Sequence, residues 1–307
     1  MAVRKIVSIL VALWINCIDA FPLNSRVVHN RNNKQCILHQ STVDEHEATI
    51  RSALQKVNTL MYRPETLESS LITNFFSAAG KLVEVKQSSI PGAGMGLFAK
   101  KQLKQGTIIG LYPTHCLGFV DCEDAATIFS LEDQEYFDPQ NMENQDIDSY
   151  QLNILGGRPL LSMTMDATTS LFLNINPNRS IPNNGWSSHY INDSHIVHEN
   201  SEAGVLQYYQ DSTRQRNCVF VPFGPSPLMT AVTTSKIKKG QELFTSYGCV
   251  YWLEALLEQQ GVAETTPITE SIQEMSKEST RGILQARNAL VVTNAELGKA
   301  FQNIFDE

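Results

Sequence analysis

Basic side chains are scarce in this sequence and never gathered. Lysine and arginine number 24 against 32 aspartates and glutamates, for a formal charge of −8. A nucleic-acid partner calls for clustered Lys and Arg to neutralise phosphates, so none is expected. Cysteine is sparse too: Cys17, Cys36, Cys116, Cys122, Cys218 and Cys249 are scattered, with no C-x-x-C pair. That pattern is neither a disulfide framework nor the ligand spacing of structural zinc. His189, His195 and His198 lie near one another but lack a carboxylate or an i,i+4 partner, so no metal is expected there. Past residue 20 no apolar run approaches the roughly 20 residues needed to cross a bilayer. Internal repeats are absent. What remains is ordinary globular material, 307 residues of which 42% are apolar, enough for one large domain or two small ones. Nothing in it speaks to oligomeric state.

Residues 1–20 read as a signal peptide. Arg4 and Lys5 supply the positive start, Ile6 to Ile15 a short apolar core, and Cys17-Ile-Asp-Ala20 a small-residue cleavage site. From Phe21 to Val43 there is no acidic residue, only Arg26, Arg31 and Lys34 among the charged ones. A signal peptide followed by such a 21–43 segment resembles the bipartite plastid-targeting presequence of algae with complex plastids. A plastid address is therefore expected, with the ER or secretion as the alternative. After removal of the presequence no membrane partner is expected.

The rest of the chain changes texture twice. In a helical flank at 44–81, Ser41-Thr-Val-Asp44-Glu45 offers a capping box, and Ile50, Leu54, Val57 and Met61 recur at helical spacing until Pro64. A second helix is predicted from about Leu67 to Ala79, burying Leu71, Ile72, Phe75 and Phe76 and stopped by Gly80. Short β-like runs follow at Leu82–Val85, Gly96–Ala99, Thr107–Tyr112, Tyr150–Ile154, Leu160–Met165, Val205–Tyr209, Cys218–Val221 and Leu228–Thr234. An acidic stretch at about 120–148 reads as an inserted, helix-containing excursion with a solvated surface. Asn174 to Trp186, rich in Asn and Pro, reads as a loop. From 254 to 307 the chain is helical again: a segment from Tyr251 to Gly261, a polar helix from Pro267 to Leu290, and a short one bearing Leu297, Phe301 and Ile304. Texture by itself implies a mixed α and β protein.

Two segments carry more. Ile90-Pro-Gly-Ala-Gly94-Met95-Gly96-Leu97-Phe-Ala99 is a glycine turn entering a strand, and Gly240-Gln-Glu242-Leu-Phe-Thr-Ser246-Tyr247-Gly248 ends on a tyrosine before glycine. Between them stand Lys104-Gln-Gly106-Thr-Ile-Ile-Gly-Leu-Tyr112, Met165-Asp-Ala-Thr168 and Tyr190-Ile-Asn192-Asp193-Ser194. In this order, over residues 82–253, they resemble the SET-domain protein-lysine methyltransferases, in a divergent form. The resemblance implies a mainly β fold with flanking helices (α+β), made of several small sheets. It implies S-adenosyl-L-methionine as cofactor, a protein substrate with an accessible lysine, and EC 2.1.1 chemistry. Such chemistry needs no metal, because the sulfonium methyl is already activated. It needs a narrow dry passage that aligns a neutral lysine nitrogen.

Carried over residue by residue, the resemblance assigns Gly94, Met95, Gly96 and Leu97 to the first cofactor loop, where missing side chains let backbone approach the ligand. Tyr190, Asn192 and Asp193 fall at the adenosine end, with Asp193 in place of the family's histidine and Asn217-Cys218-Val219-Phe220 resembling its displaced second half. Asp193 is read either as a cofactor contact or as a surface loop residue. Tyr247 is the hydroxyl expected to orient the amine and the methyl, with Ser246 where the family carries Asp. Phe220 would line the lysine channel, leaving room for added methyls. Tyr112 is either an active-site tyrosine or a half-buried strand residue. Trp252 either stacks on adenine or packs its helix on the core. No cysteine-rich module follows Tyr247, so the C-terminal helices are expected to close that side. The alternative is a SET-fold pseudoenzyme acting as a protein-binding module, favoured by Asp193, Ser246 and the displaced Asn217. A helical plastid scaffold without a SET core would require the ordered motifs to be chance.

Overall fold

The computed structural model describes residues 50–120, 126–130, 152–153, 170–175, 179–182, 185–223, 228–260, 266 and 269–306. The presequence, the capping box at 41–45, the Leu160–Met165 run, Met165–Thr168 and most of the acidic stretch lie outside these residues. Residues 50–62 form helix α1, with Ile50, Leu54, Val57, Leu60 and Met61 buried along one face. Pro64–Thr66 is a 3-10 turn, where proline ends the helix as its missing N–H dictates. Helix α2 spans Ser70–Ala79 and buries Ile72, Phe76 and Ala79. Leu71, expected inside, points outward and is 46% exposed. Gly80 follows α2 in right-handed geometry, φ −60°, so this end is not a left-handed glycine cap.

Among the described residues the strands are short and sit in four small sheets, as expected of the fold. β1 (Val83–Gln87) and β2 (Met95–Ala99) form an antiparallel hairpin. β3 (Ile108–Leu111), β10 (Met229–Thr233) and β9 (Cys218–Pro222) make a three-stranded sheet with β10 central. β4 (Cys116–Val120), β5 (Ala126–Ser130), β6 (Leu152–Asn153) and β7 (Ser170–Asn174) form a sheet ordered β5-β4-β7-β6. Within the acidic stretch, Ala126–Ser130 is a strand paired in full antiparallel register with β4; the helix expected in that stretch lies outside the described residues. Finally, β8 (Asn192–Asp193) and β11 (Phe244–Thr245) pair in parallel.

One predicted strand is a helix. Val205–Tyr209 lies inside α3 (Glu202–Gln215), whose buried Val205, Tyr208, Tyr209 and Ser212 follow i, i+3, i+4, i+7 spacing. Ser201 caps it, its hydroxyl accepting from Gly204 N. The valine and tyrosines favour strand by composition, but their period is helical.

Helices α4 (Cys249–Gln260), α5 (Glu270–Thr293) and α6 (Ala295–Asp306) close the chain. Both helical flanks share one core with the three-stranded sheet. Val57 and Met61 of α1, Phe76 of α2, Val219 and Val221 of β9, Leu290 of α5 and Phe301 of α6 belong to one buried cluster. The Phe301 ring meets Phe75, Phe76 and Phe223 edge-on at 5.8–6.4 Å between centroids. Lys56 Nζ donates to the Phe305 carbonyl at 2.9 Å. Such burial, rather than local propensity, holds both helical flanks to the sheet.

Candidate active site

The hairpin between β1 and β2 turns at Gly94, which takes φ +68°. Its carbonyl accepts from Ser88 N at 2.9 Å and Gln87 Nε2 at 2.7 Å. A Cβ built on Gly94 would meet nothing within 4 Å, so this backbone faces open space. Gly96 is glycine for the opposite reason. A Cβ there would fall 2.1 Å from Glu242 Oε1 and 3.2 Å from Ser88 Cα. Met95, between them, is 44% exposed.

The buried Glu242 carboxylate fastens this loop. Oε1 accepts from Ser88 Oγ at 2.7 Å, and Oε2 from Ser89 N at 2.8 Å and from the Ser89 hydroxyl. Asn192 adds a third tie, its Nδ2 donating to Met95 O at 3.0 Å. On the other side, Asn217 clamps the same segment: Nδ2 donates to Glu242 O at 3.0 Å, and Oδ1 accepts from Phe244 N at 2.9 Å. Sequence reading passed over Glu242, Ser88 and Ser89, although Glu242 sits within the quoted Gly240–Gly248 motif.

The parallel β8–β11 pair places Asn192 opposite Phe244 and Asp193 opposite Thr245. The chain leaves β11 through Ser246, Tyr247 and Gly248, the last at φ +90°. Tyr247 donates its hydroxyl to Ile191 O at 3.1 Å, next to Asn192. The glycine loop, Asn192 and Tyr247 therefore meet. The Tyr247 ring lies parallel to Trp252 (12°, 5.9 Å between centroids) and edge-on to Tyr251 at 5.1 Å. Trp252 is half-buried, and its Nε1 donates to Asp193 Oδ2 at 2.9 Å. Elsewhere Tyr112, buried at the end of β3, donates its backbone N–H to Met229 O at 2.8 Å, and its ring meets Phe220 edge-on at 5.4 Å. Phe220 is half-buried against the cluster that contains Ile191, as is Tyr190.

Two predicted contacts point inward. The Leu97 side chain is fully buried in the core, so it supports the loop rather than lining it. Asp193 is neither a surface residue nor open to a ligand. It is 4% exposed, and its oxygens accept from Tyr208 OH, Tyr247 N, Trp252 Nε1, His195 N and Ser212 Oγ. Burial pushes its pKa up, and the donors from Trp252, Tyr208, Tyr247 and His195 oppose that rise. Tyr208, which α3 brings to this spot, was hidden by the mistaken strand assignment.

Two histidines are shifted by burial. Burial lowers the pKa of His115 to about 4, helped by Arg179 and His189, and burial lowers His189 to about 4 as well. His115 Nε2 and the Tyr62 hydroxyl share a 2.8 Å hydrogen bond. Both rings are thus neutral in the folded chain. The unfolded chain takes up these protons near pH 6.5, so the stability is complete above that pH and falls as pH drops towards 4. Each histidine should add about 1.4 kcal/mol per pH unit to the slope of stability over that interval. Denaturant melts between pH 7 and 4 test this, and an unchanged slope in His115→Gln would remove His115 from the account.

The chain belongs to the SET-domain family: the model of that family, described as SET domain, matches residues 94–248. The match begins at the left-handed glycine of the loop and ends just past Tyr247, the two ends that the hydrogen bonds join. Membership supports a protein methyltransferase role. Among solved structures, the chain is similar to the ATXR5 SET domain in complex with dimethylated histone H3, at 18% identity and a TM-score of 0.31, covering 54% of this chain and 57% of that one. It is similar also to ATXR5 in complex with monomethylated histone H3.1, at 19% identity and a TM-score of 0.30, covering 54% and 56%. The chain thus spans less than two thirds of the length of either. No curated protein matches it.

Proposed function

We propose that this protein is a protein-lysine N-methyltransferase using S-adenosyl-L-methionine. The observation that carries the reading is the convergence of an open glycine backbone, Asn192 and Tyr247. Asn192 holds the Met95 carbonyl, and Tyr247 is anchored one residue away at Ile191. These residues fit the cofactor: Gly94 leaves space for a ligand against the backbone, and the half-buried Trp252 would offer an aromatic face to its adenine. Bound there, the cofactor would supply an activated methyl group. The protein's part is to align and dry the acceptor. In this reading the rings of Tyr112 and Phe220, which meet edge-on, would wall the acceptor passage, disfavouring a charged ammonium and lowering the lysine pKa. The Tyr247 oxygen, held by its bond to Ile191 O, would orient the amine and would be available for weak C–H···O contacts with the methyl group. Phe220 brings no hydroxyl to crowd that wall, which supports more than one methylation. Product mass spectrometry giving only monomethyl-lysine counts against it.

Isothermal titration tests the reading. Wild-type protein should bind both S-adenosylmethionine and S-adenosylhomocysteine; binding of neither by a folded sample favours the protein-binding module. Asn192→Ala should weaken cofactor affinity about tenfold by freeing the Met95 carbonyl, roughly the worth of one hydrogen bond. An unchanged dissociation constant removes Asn192 from the site. Residues 1–43 are proposed to address the protein to a plastid. A fluorescent fusion of residues 1–60 that labels only the ER or medium would refute this.

A further inference from the structure

Asp193, Ser246 and helix α3 are three features that the sequence leaves unconnected, and one set of hydrogen bonds joins them. The Tyr208 hydroxyl has one proton to give and two lone pairs to offer. It donates to Asp193 Oδ2 at 2.5 Å, and its oxygen faces Gly248 N at 3.0 Å and Ser246 Oγ at 2.8 Å. With its proton committed to the carboxylate, the phenol must accept from both. Asp193 Oδ2 also takes Tyr247 N–H at 2.8 Å. Consecutive amides, 247 and 248, therefore end on one acid–phenol pair. Fixing those amides fixes the backbone of Tyr247, and with it the direction of the side chain that meets Ile191 O. Tyr208 and Asp193 are 2% and 4% exposed, so water has little access to replace either partner.

We propose that Asp193 and Tyr208 are paired positioning residues for Tyr247, and that α3 serves to deliver the Tyr208 hydroxyl to the 246–248 turn. The kinetic part of this rests on the methyl-transfer reading; the structural part does not. Trp252, donating to the same Asp193 oxygen, ties the start of α4 to the pair. On this account Asp193 and Ser246 are one matched arrangement rather than signs of a decayed site.

The test uses the full chain as wild type, Tyr208→Phe, Asp193→Asn and the double variant. Amide hydrogen exchange at residues 247 and 248 should quicken at least tenfold in each variant. Turnover per folded molecule, read as labelled methyl transferred to protein, should fall at least tenfold, with KM for S-adenosylmethionine within twofold. The double variant should lose no more than the worse single one, as members of one unit do. A merely structural pair would lower the melting temperature yet leave turnover per folded molecule unchanged. That result, wild-type protection of both amides in Tyr208→Phe, or losses that multiply in the double variant would overturn the proposal. If the wild type transfers no methyl at all, the methyl-transfer reading fails and the exchange measurement alone decides the pairing.

Discussion

Tyr247→Phe is expected to cut turnover about a hundredfold while leaving the S-adenosylmethionine dissociation constant within about twofold, the pattern of losing one preorganised polar group. The ring keeps its place in this variant. It still lies against Trp252 and Tyr251, and its backbone N–H still reaches Asp193. Only the hydroxyl goes, and with it the 3.1 Å bond to Ile191 O. That bond is a single part-buried one between neutral groups, so its loss should cost about 1 kcal/mol of stability. Rate and stability are thereby separated. Turnover within twofold of wild type would remove Tyr247 from the reacting centre and leave the binding-module reading in possession.

Gly96→Ala should be the most damaging single change in the glycine loop, and Gly94→Ala a mild one. At Gly96 the added methyl would overlap Glu242 Oε1, and that carboxylate is held by Ser88, Ser89 and the nearby Asn192. Relief requires either a shift of the Ser88 backbone or release of a buried acid from its donors. Overpacking and a broken charged hydrogen-bond set together cost about 3 kcal/mol, or roughly 6–12 °C in melting temperature. Cofactor binding should fall with it, because the same contacts hold Met95. At Gly94 nothing obstructs a methyl group, and only the left-handed backbone resists, at about 1 kcal/mol. Thermal melts of the two variants side by side settle the matter: equal losses would show that Glu242 yields freely.

The helices with long apolar periods were legible in the sequence. Ile50, Leu54, Val57 and Met61 line the buried face of α1, and Phe301 buries the last helix. Short elements were less legible. The Val205–Tyr209 segment is β-branched and aromatic by composition, yet Ser201 caps it and Tyr208 and Ser212 extend its buried face along a helix. At Ala126–Ser130 acidic neighbours masked an apolar strand whose identity lies in its pairing with β4. Leu97 illustrates a different failure. A motif names a stretch of backbone, whereas what packs against each position of the strand decides its burial: Met95 at the strand's start is exposed and Leu97 lies in the core.

By itself the sequence determined the family, through the order of a glycine turn and a tyrosine before glycine, and the helical flanks, through their spacing. Those signals are local, and each is readable within a dozen residues. Tertiary structure alone decided what Asp193, Glu242 and Asn217 do. Their partners lie tens to more than a hundred residues away, at Tyr247, Ser88 and Phe244. A buried carboxylate takes its role from the donors that desolvation forces upon it, and those donors are assembled only when the strands pair.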